Sequence, residues 1–255
     1  MEFRRTFRGV KRWIKARAGL DVFVRPQVSV PLVSLGQGAG SWAVWPEHLG
    51  RESVLYSFGV GRDISFERAM IDRYGLTVHA FDPTPLALGW AKSQQLPERF
   101  YLHELGLAAY DGSAWFQPPT KLKFESFSMV RRSGLGAVIE APVRRLQTLA
   151  EMLGHIRVDV LKMDIEGAEY EVLRDILAGR IGIGQILVEF HHRWKEVGPA
   201  QTRQAIASLE AAGYLVAAVS SGGTEYTFVP KAGGPAAHNS SFPSGASHCD
   251  HPAVP

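Results

Sequence analysis

The sequence predicts an open α/β fold, a mostly parallel seven-stranded sheet that ends in an antiparallel hairpin. Three observations predict it. Val158-Asp-Val-Leu-Lys-Met163 is an apolar run of one-strand length, and Ala168, Val172, Ile176 and Leu177 follow it at helical spacing. Ser53 to Phe58 and Leu76 to Phe81 are two further apolar runs, each leading into a helical pattern. Finally, Tyr214 to Val219 and Thr224 to Val229 are separated only by Ser220-Ser-Gly-Gly223, a hairpin signature.

Composition bounds the reading. The chain has 255 residues, 45% hydrophobic and 21% charged, which suits one α/β domain with extensions. A net charge of +3 is too small to imply nucleic acid. No apolar run reaches the roughly 18 residues of a membrane span. Cys249 is the single cysteine, so no intrachain disulfide can form and a reducing compartment fits. The basic start lacks the apolar segment and cleavage site of a secretory signal. The expected location is the cytoplasm, with possible contact to a membrane surface.

Taken in order, residues 2–18 read as a basic amphipathic helix. Phe3, Phe7, Val10 and Ile14 recur at helical steps beside Trp13, while Arg4, Arg5, Arg8, Lys11, Arg12, Lys15 and Arg17 crowd the rest. Such a helix suits an anionic membrane surface, and equally suits docking on its own domain or on a partner. Residues 21–50 form a connector: one strand within Gln27 to Leu35, a flexible Gly36-Gln-Gly-Ala-Gly40 turn, and the short apolar piece Ser41 to Trp45. No good helix follows those glycines, so they are not a phosphate loop. Trp42 reads as packing, with the cofactor pocket as the other option.

Residues 51–230 carry the domain. Ser53 to Phe58 is the first core strand, and Gly59-Val-Gly61 is a turn whose glycines let backbone approach a ligand. Asp63 then opens a helix and is available as its N-cap. The second strand ends in Asp82-Pro83, with Asp82 about twenty residues past the turn, where an acid meets ribose hydroxyls in nucleotide-binding α/β folds. Arg99 to Leu105 is a third strand, and residues 107–116 suggest a hairpin turned at Asp111-Gly112. Residues 117–137 form a long loop with the profile of a lid or binding loop, Arg131 and Arg132 within it. Residues 231–255 shift to Gly, Pro, Ser, Ala and His, the composition of a disordered tail, in which His248-Cys-Asp-His251 reads as adventitious.

Chemistry concentrates at two strand tips. Asp164 and Glu166 follow the 158–163 strand, where open α/β sheets bind ligands. Lys162 shares a face with Asp164, its nearest candidate partner. Gly184 to Phe190 is a fifth strand tipped by His191 and His192, either of which could serve as general base or merely cap the strand. Glu189, His191 and His192 lack a clear third ligand from another element, so no metal is expected.

The stretch Leu161-Lys-Met-Asp-Ile-Glu-Gly-Ala-Glu169 resembles the most distinctive segment of the FkbM-type methyltransferases. Phe81-Asp-Pro83 and the Asp111-Gly112 insert are similar to that family as well, and the resemblance covers roughly residues 51–230. The glycine turn departs from the family pattern, with Ser57 and Arg62 where an acid and an Asn are usual. The resemblance implies a class I methyltransferase fold, S-adenosyl-L-methionine as cofactor, and O-methylation of a sugar, glycolipid or related hydroxyl. On that basis Gly59, Gly61 and Asp63 would cradle the methionine part, and Asp82 with Pro83 would meet the ribose. Asp164 and Glu166 would lie at the transfer point, with His191 or His192 as base. The partner would be a small-molecule or glycan acceptor. Two alternatives stand beside it: a nicotinamide-dependent oxidoreductase, which would want a glycine where Ile64 stands, and a non-catalytic membrane-peripheral binding protein.

Overall fold

Strand register places the tips that matter side by side. In a computed structural model, which describes residues 2–118, 127–130 and 137–231, the chain runs in order. It begins α1 (Glu2–Arg17), β1 (Val33–Leu35), β2 (Trp42–Val44), β3 (Val54–Phe58), α2 (Ser65–Tyr74), β4 (Thr77–Phe81), α3 (Pro85–Ser93) and β5 (Phe100–His103). There follow β6 (Gly106–Leu107), β7 (Gly112–Phe116), β8 (Ile139–Arg144), α4 (Leu146–Met152) and β9 (Arg157–Met163). The last elements are α5 (Glu169–Ala178), β10 (Gly182–Glu189), α6 (Pro199–Ala211), β11 (Tyr214–Val219) and β12 (Glu225–Pro230). Arg131, Arg132 and the 232–255 tail lie outside the described residues.

The main sheet has seven strands in the order β11-β12-β10-β9-β3-β4-β5. All are parallel except β12, which is antiparallel to both β10 and β11. Chain order reverses between β3 and β9, the switch point beyond which open α/β sheets bind ligands. Phe58 pairs with Phe81 on one side and with Met163 on the other. The ladder continues one residue further: Gly59 N–H donates to Phe81 O and Asp164 N–H to Phe58 O, both at 3.1 Å. The residues following three strands are thereby held as neighbours.

Alternation sorts the core onto two faces. Tyr56, Phe58, Phe81, Leu161, Met163 and Val188 pack on one face with Leu173 and Ile176 of α5 and Leu209 of α6. Leu55, Val78, Ala80, Val160 and Leu187 pack on the other with Phe66 and Met70 of α2. The connector folds into an antiparallel β1–β2 hairpin over this second face, where the Gln185 amide exchanges hydrogen bonds with the Trp45 backbone at 2.7 and 3.0 Å. Trp42 is buried in that cluster, so it packs.

The insert differs from the expected hairpin. β6 and β7 do not pair with each other; β8 lies between them, parallel to β6 and antiparallel to β7. Residues 139–144 alternate as a strand should, with Ala141 and Val143 buried and Glu140 exposed, but Pro142 weakens the signal. At the start of the chain, the Arg12 guanidinium ties α1 to the domain by donating to Val22 O at 3.2 Å and Ser220 O at 3.4 Å.

Candidate active site

The glycine turn after β3 is built to lie flat against the end of β9. Gly59 has φ +78°, and a Cβ there would stand 1.9 Å from Asp164 O, so no side chain fits. Gly61 has φ +57°. The turn's amides are held by Asp82: its Oδ2 accepts from Val60 N–H and Gly61 N–H, each at 3.1 Å. Its Oδ1 accepts from the Thr84 amide at 2.9 Å and the Thr84 hydroxyl at 2.6 Å. A carboxylate has about four acceptor positions, and those of this buried Asp82 are used within the protein.

Lys162 does not pair with Asp164. Its Nζ lies 3.4 Å from Glu67 Oε1 and donates to Ser57 Oγ and Gly59 O, both at 3.3 Å. Position 162 points to the α2 face of the sheet, whereas the chain turns away at Asp164. Ser57 in turn donates to Glu67 Oε1 at 2.5 Å. A buried acid therefore does lie beneath the turn, but it comes from helix α2.

After β9 the backbone is strained. Glu166 has φ 54°, a left-handed conformation that costs a non-glycine residue of order 1–3 kcal/mol. Three contacts impose it. Glu169, fully buried in the first turn of α5, accepts from Ile165 N–H at 3.2 Å and Gly167 N–H at 3.1 Å. Ser128 donates its hydroxyl to Glu166 O. Gly167, at φ +98°, sits so close to Val130 that a Cβ would come within 2.8 Å of it.

His191 closes the cluster. Its Nδ1 meets Glu169 Oε1 at 2.9 Å, and its Nε2 faces Glu166 Oε2 at 3.3 Å and Asp164 Oδ1 at 3.8 Å. Burial disfavours its charged form, but Glu169 and Glu166 outweigh that and hold its pKa well above the usual histidine value. Burial pushes Asp164 up to about 6, with His191 opposing and Glu166 adding to the rise. Glu189 at the tip of β10 is pushed up to about 8 by burial and by Asp164.

These parts border one cavity of about 310 Å³. Its polar wall is Gly59, Gly61, Arg62, Asp82, Thr84, Asp164 and Glu166; Phe58, Phe81, Pro83, Leu107 and Phe116 form an apolar wall, and Phe127 and Met129 cover it. Six of the nine residues singled out from the sequence thus meet: Gly59, Gly61, Asp82, Pro83, Asp164 and Glu166. Three do not line it. Asp63 faces outward, where its Oδ1 accepts from Ser65 N–H at 2.8 Å before α2 begins. His192 is buried on the far side, its Nε2 2.7 Å from Asp21 Oδ1. His191 stands behind the two acids with both ring nitrogens facing carboxylates, which leaves no lone pair to accept a proton.

The sequence reading passed over Thr84, Glu169, Phe116, Phe127 and Met129. Glu169 carried a signal, an acid in the first turn of a helix where orphan amides attract one. Phe127 and Met129 flank buried Ser128 within the long loop, and no periodicity marks them. That described piece of the loop does cover the cavity.

The methyltransferase FkbM domain profile matches residues 54–216. The chain belongs to the FkbM methyltransferase family. Its seven-stranded sheet with antiparallel β12 is the class I methyltransferase fold, and the oxidoreductase alternative falls away. The chain is 29% identical over 147 residues to "Probable methyltransferase-like protein 24" of Rattus norvegicus, covering 56% of this chain and 34% of that protein. It is 28% identical over 146 residues to the Homo sapiens protein of the same name, with the same coverage of 56% and 34%. The chain therefore spans about a third of the length of these curated relatives. Among solved structures, a chain from the complex containing the Haloferax volcanii Trm112 methyltransferase activator aligns at 15% identity and TM-score 0.34, over 84% of this chain and 74% of that one. Among the described residues, no helix is long and apolar enough to cross a membrane.

Proposed function

We propose that this FkbM-family chain moves a methyl group from S-adenosyl-L-methionine to a hydroxyl of a sugar, glycolipid or related small molecule. One observation carries the reading: a single cavity at the switch point gathers Gly59, Gly61, Asp82, Asp164 and Glu166. Its chemistry fits the cofactor, since flat apolar walls at Phe81, Pro83, Leu107 and Phe116 suit a purine and carboxylates suit positive charge. The bound cofactor supplies an activated methyl on a cationic sulfur.

The protein's part is orientation and charge. Asp82 fixes the glycine turn that floors the cavity, and a ribose hydroxyl would compete with the Thr84 hydroxyl for its Oδ1. Asp164 and Glu166, on the same cavity wall, would favour the cationic end of the cofactor. Alignment of acceptor oxygen and methyl can supply roughly 7–11 kcal/mol of the barrier. With His191 engaged and His192 remote, the acceptor proton passes to the Asp164 carboxylate on the cavity wall.

Calorimetric titration with S-adenosyl-L-methionine tests donor binding. Mass spectrometry of glycans, lipids and small metabolites incubated with isotopically labelled cofactor tests transfer, a labelled methyl on a hydroxyl being the expected result. No cofactor binding by folded protein would overturn the reading.

A further inference from the structure

The edge of the sheet that carries the cavity also carries helix α1. β11 runs parallel to β10, since both pair antiparallel with β12, so Ser220 and the β11–β12 turn stand at the same edge as Asp164 and His191. Arg12 donates to the Ser220 carbonyl at 3.4 Å and to Val22 O at 3.2 Å, and a Cβ on Gly223 of that turn would collide with its guanidinium. The chain leaving α1 is pinned there as well. Buried Asp21 meets His192 Nε2 at 2.7 Å and Arg193 Nη2 at 3.2 Å, and Arg193 donates to Gly222 O at 2.7 Å. Next to His192 in the chain is His191, which faces Asp164 and Glu166.

The helix is docked by one side only. At about 3.6 residues per turn, Arg12 lies across the helix from Val10, Trp13 and Ile14. Those three are exposed, as is Leu20 just past the helix. Lys11, Lys15 and Arg17 are exposed around them, and residues 10–20 contain no acid. An apolar stripe flanked by cations is complementary to an anionic lipid surface, which takes the apolar side chains into its interface and attracts the charges. The rim of the cavity belongs to the same edge: Gly61, Arg62 and Leu86 line the cavity and are exposed. At about 310 Å³ the cavity is small for a ligand pocket, a class that spans roughly 300–1,000 Å³. Once a cofactor fills it, an acceptor reaches Asp164 only from this rim.

We propose that this edge is the membrane-facing side of the protein: α1 rests on an anionic lipid surface, the cavity rim faces the same surface, and the acceptor hydroxyl is presented on a lipid headgroup. Docking holds rim and headgroups at one interface, which raises the effective concentration of acceptor without any new contact. The acceptor half of the proposal rests on the methyltransferase reading; the docking half does not.

Two labelled variants read the orientation. In a Cys249→Ser background, which removes the single cysteine, Leu86→Cys marks the cavity rim. Ile156→Cys marks the opposite edge, where β9 begins and Ile156 is 85% exposed. Each carries an environment-sensitive fluorophore and is mixed with phosphatidylcholine–phosphatidylserine vesicles that contain a headgroup-nitroxide lipid as quencher. The rim label is expected to shift to the blue and be quenched, and the far label to stay unchanged. The Trp13→Glu, Ile14→Glu double variant should lose the rim response and keep its affinity for S-adenosyl-L-methionine. A silent rim label on vesicle-bound protein, a far label that responds as strongly, or no binding to these vesicles overturns the docking. For the acceptor, a lipid extract and water-soluble glycans are offered together with isotopically labelled cofactor. Labelled methyl is expected in the chloroform-extracted lipid, and methylation confined to the water-soluble fraction overturns the lipid assignment. Cofactor binding with a silent rim label sinks this proposal alone; a rim response without cofactor binding keeps the docking and removes the methyltransferase reading.

Discussion

The Asp82 carboxylate at the end of β4 accepts the Gly61 amide at 3.1 Å, and so governs the shape of a turn in a different strand connection. The same oxygen takes the Val60 amide, and the other takes the Thr84 amide and hydroxyl. Asp82→Ala should therefore act twice. Leaving buried amides unmet costs about 1–3 kcal/mol apiece, so the thermal midpoint should fall clearly, and cofactor affinity should be lost with the turn. Scanning calorimetry and titration calorimetry check the two halves. An Asp82→Ala protein of wild-type stability and affinity would contradict the assignment.

The Lys162–Glu67 pair is buried, with side-chain exposures of 7% and 0%. Removing one partner of such a pair strands the other charge, at about 3–5 kcal/mol. Lys162→Met should lower stability by that order, and adding Glu67→Gln should recover much of the loss. Urea unfolding of the two single variants and the double variant measures the coupling. Simple additivity would show that Ser57 and Gly59, not Glu67, are what Lys162 serves.

The contrast between these two pairs explains what the sequence could and could not reveal. Asp82 and Asp164 were legible because strand tips are set by period and by the ligand-binding rule for open sheets. The Lys162 partner was not, because it depends on which helix covers which face, and alternation leaves that open. His191 and His192 looked interchangeable as neighbours. Yet consecutive residues leave a strand end in opposite directions, one toward Glu169 and one toward Asp21. β8 went unread because its Pro142 argues against a strand that flanking pairing nonetheless holds. The covering Phe127 and Met129 carry no periodicity at all; their placement follows from the Ser128 bond to the Glu166 carbonyl.

Acid should destabilise the fold through the Asp21–His192 contact. Burial lowers the His192 pKa below 6.5 despite its bond to Asp21. For Asp21, burial acts against the charged form, but His192, the Val22 amide and Arg193 outweigh it and set its pKa below 3.8. Both shifts have the same sign for stability. The unfolded chain takes up protons first, so the His192 contribution is complete above 6.5 and is lost as pH falls below it. The Asp21 contribution follows below 3.8. Urea midpoints measured from neutral pH downward should decline, and His192→Gln should flatten the upper part of that decline. An unchanged slope in the variant would assign the acid sensitivity to another buried group, such as His103, whose pKa burial lowers to about 4.

Helix α1 leaves Val10, Trp13 and Ile14 uncovered while Arg12 fastens it to the domain. Val10, Trp13 and Ile14 are exposed, as is Leu20 just beyond the helix end, whereas Arg12 is tied to Val22 and Ser220. Arg17 stacks over the Trp13 ring at 4.7 Å, so a cation and an aromatic plane stand together at the surface. An anionic lipid surface suits this pattern, because each surface Lys or Arg adds about 1 kcal/mol of attraction while the apolar side chains enter the interface. We expect the full-length chain to cosediment with vesicles containing phosphatidylserine and to be released by salt, since the attraction is screened. Neutral phosphatidylcholine vesicles should not retain it. Deleting residues 1–20, or replacing Trp13 and Ile14 with Glu, should abolish retention; the latter variant keeps Arg12 and therefore the helix's attachment. Retention of that double-Glu variant on anionic vesicles would mean that charge elsewhere on the domain, and not this helix, meets the lipid.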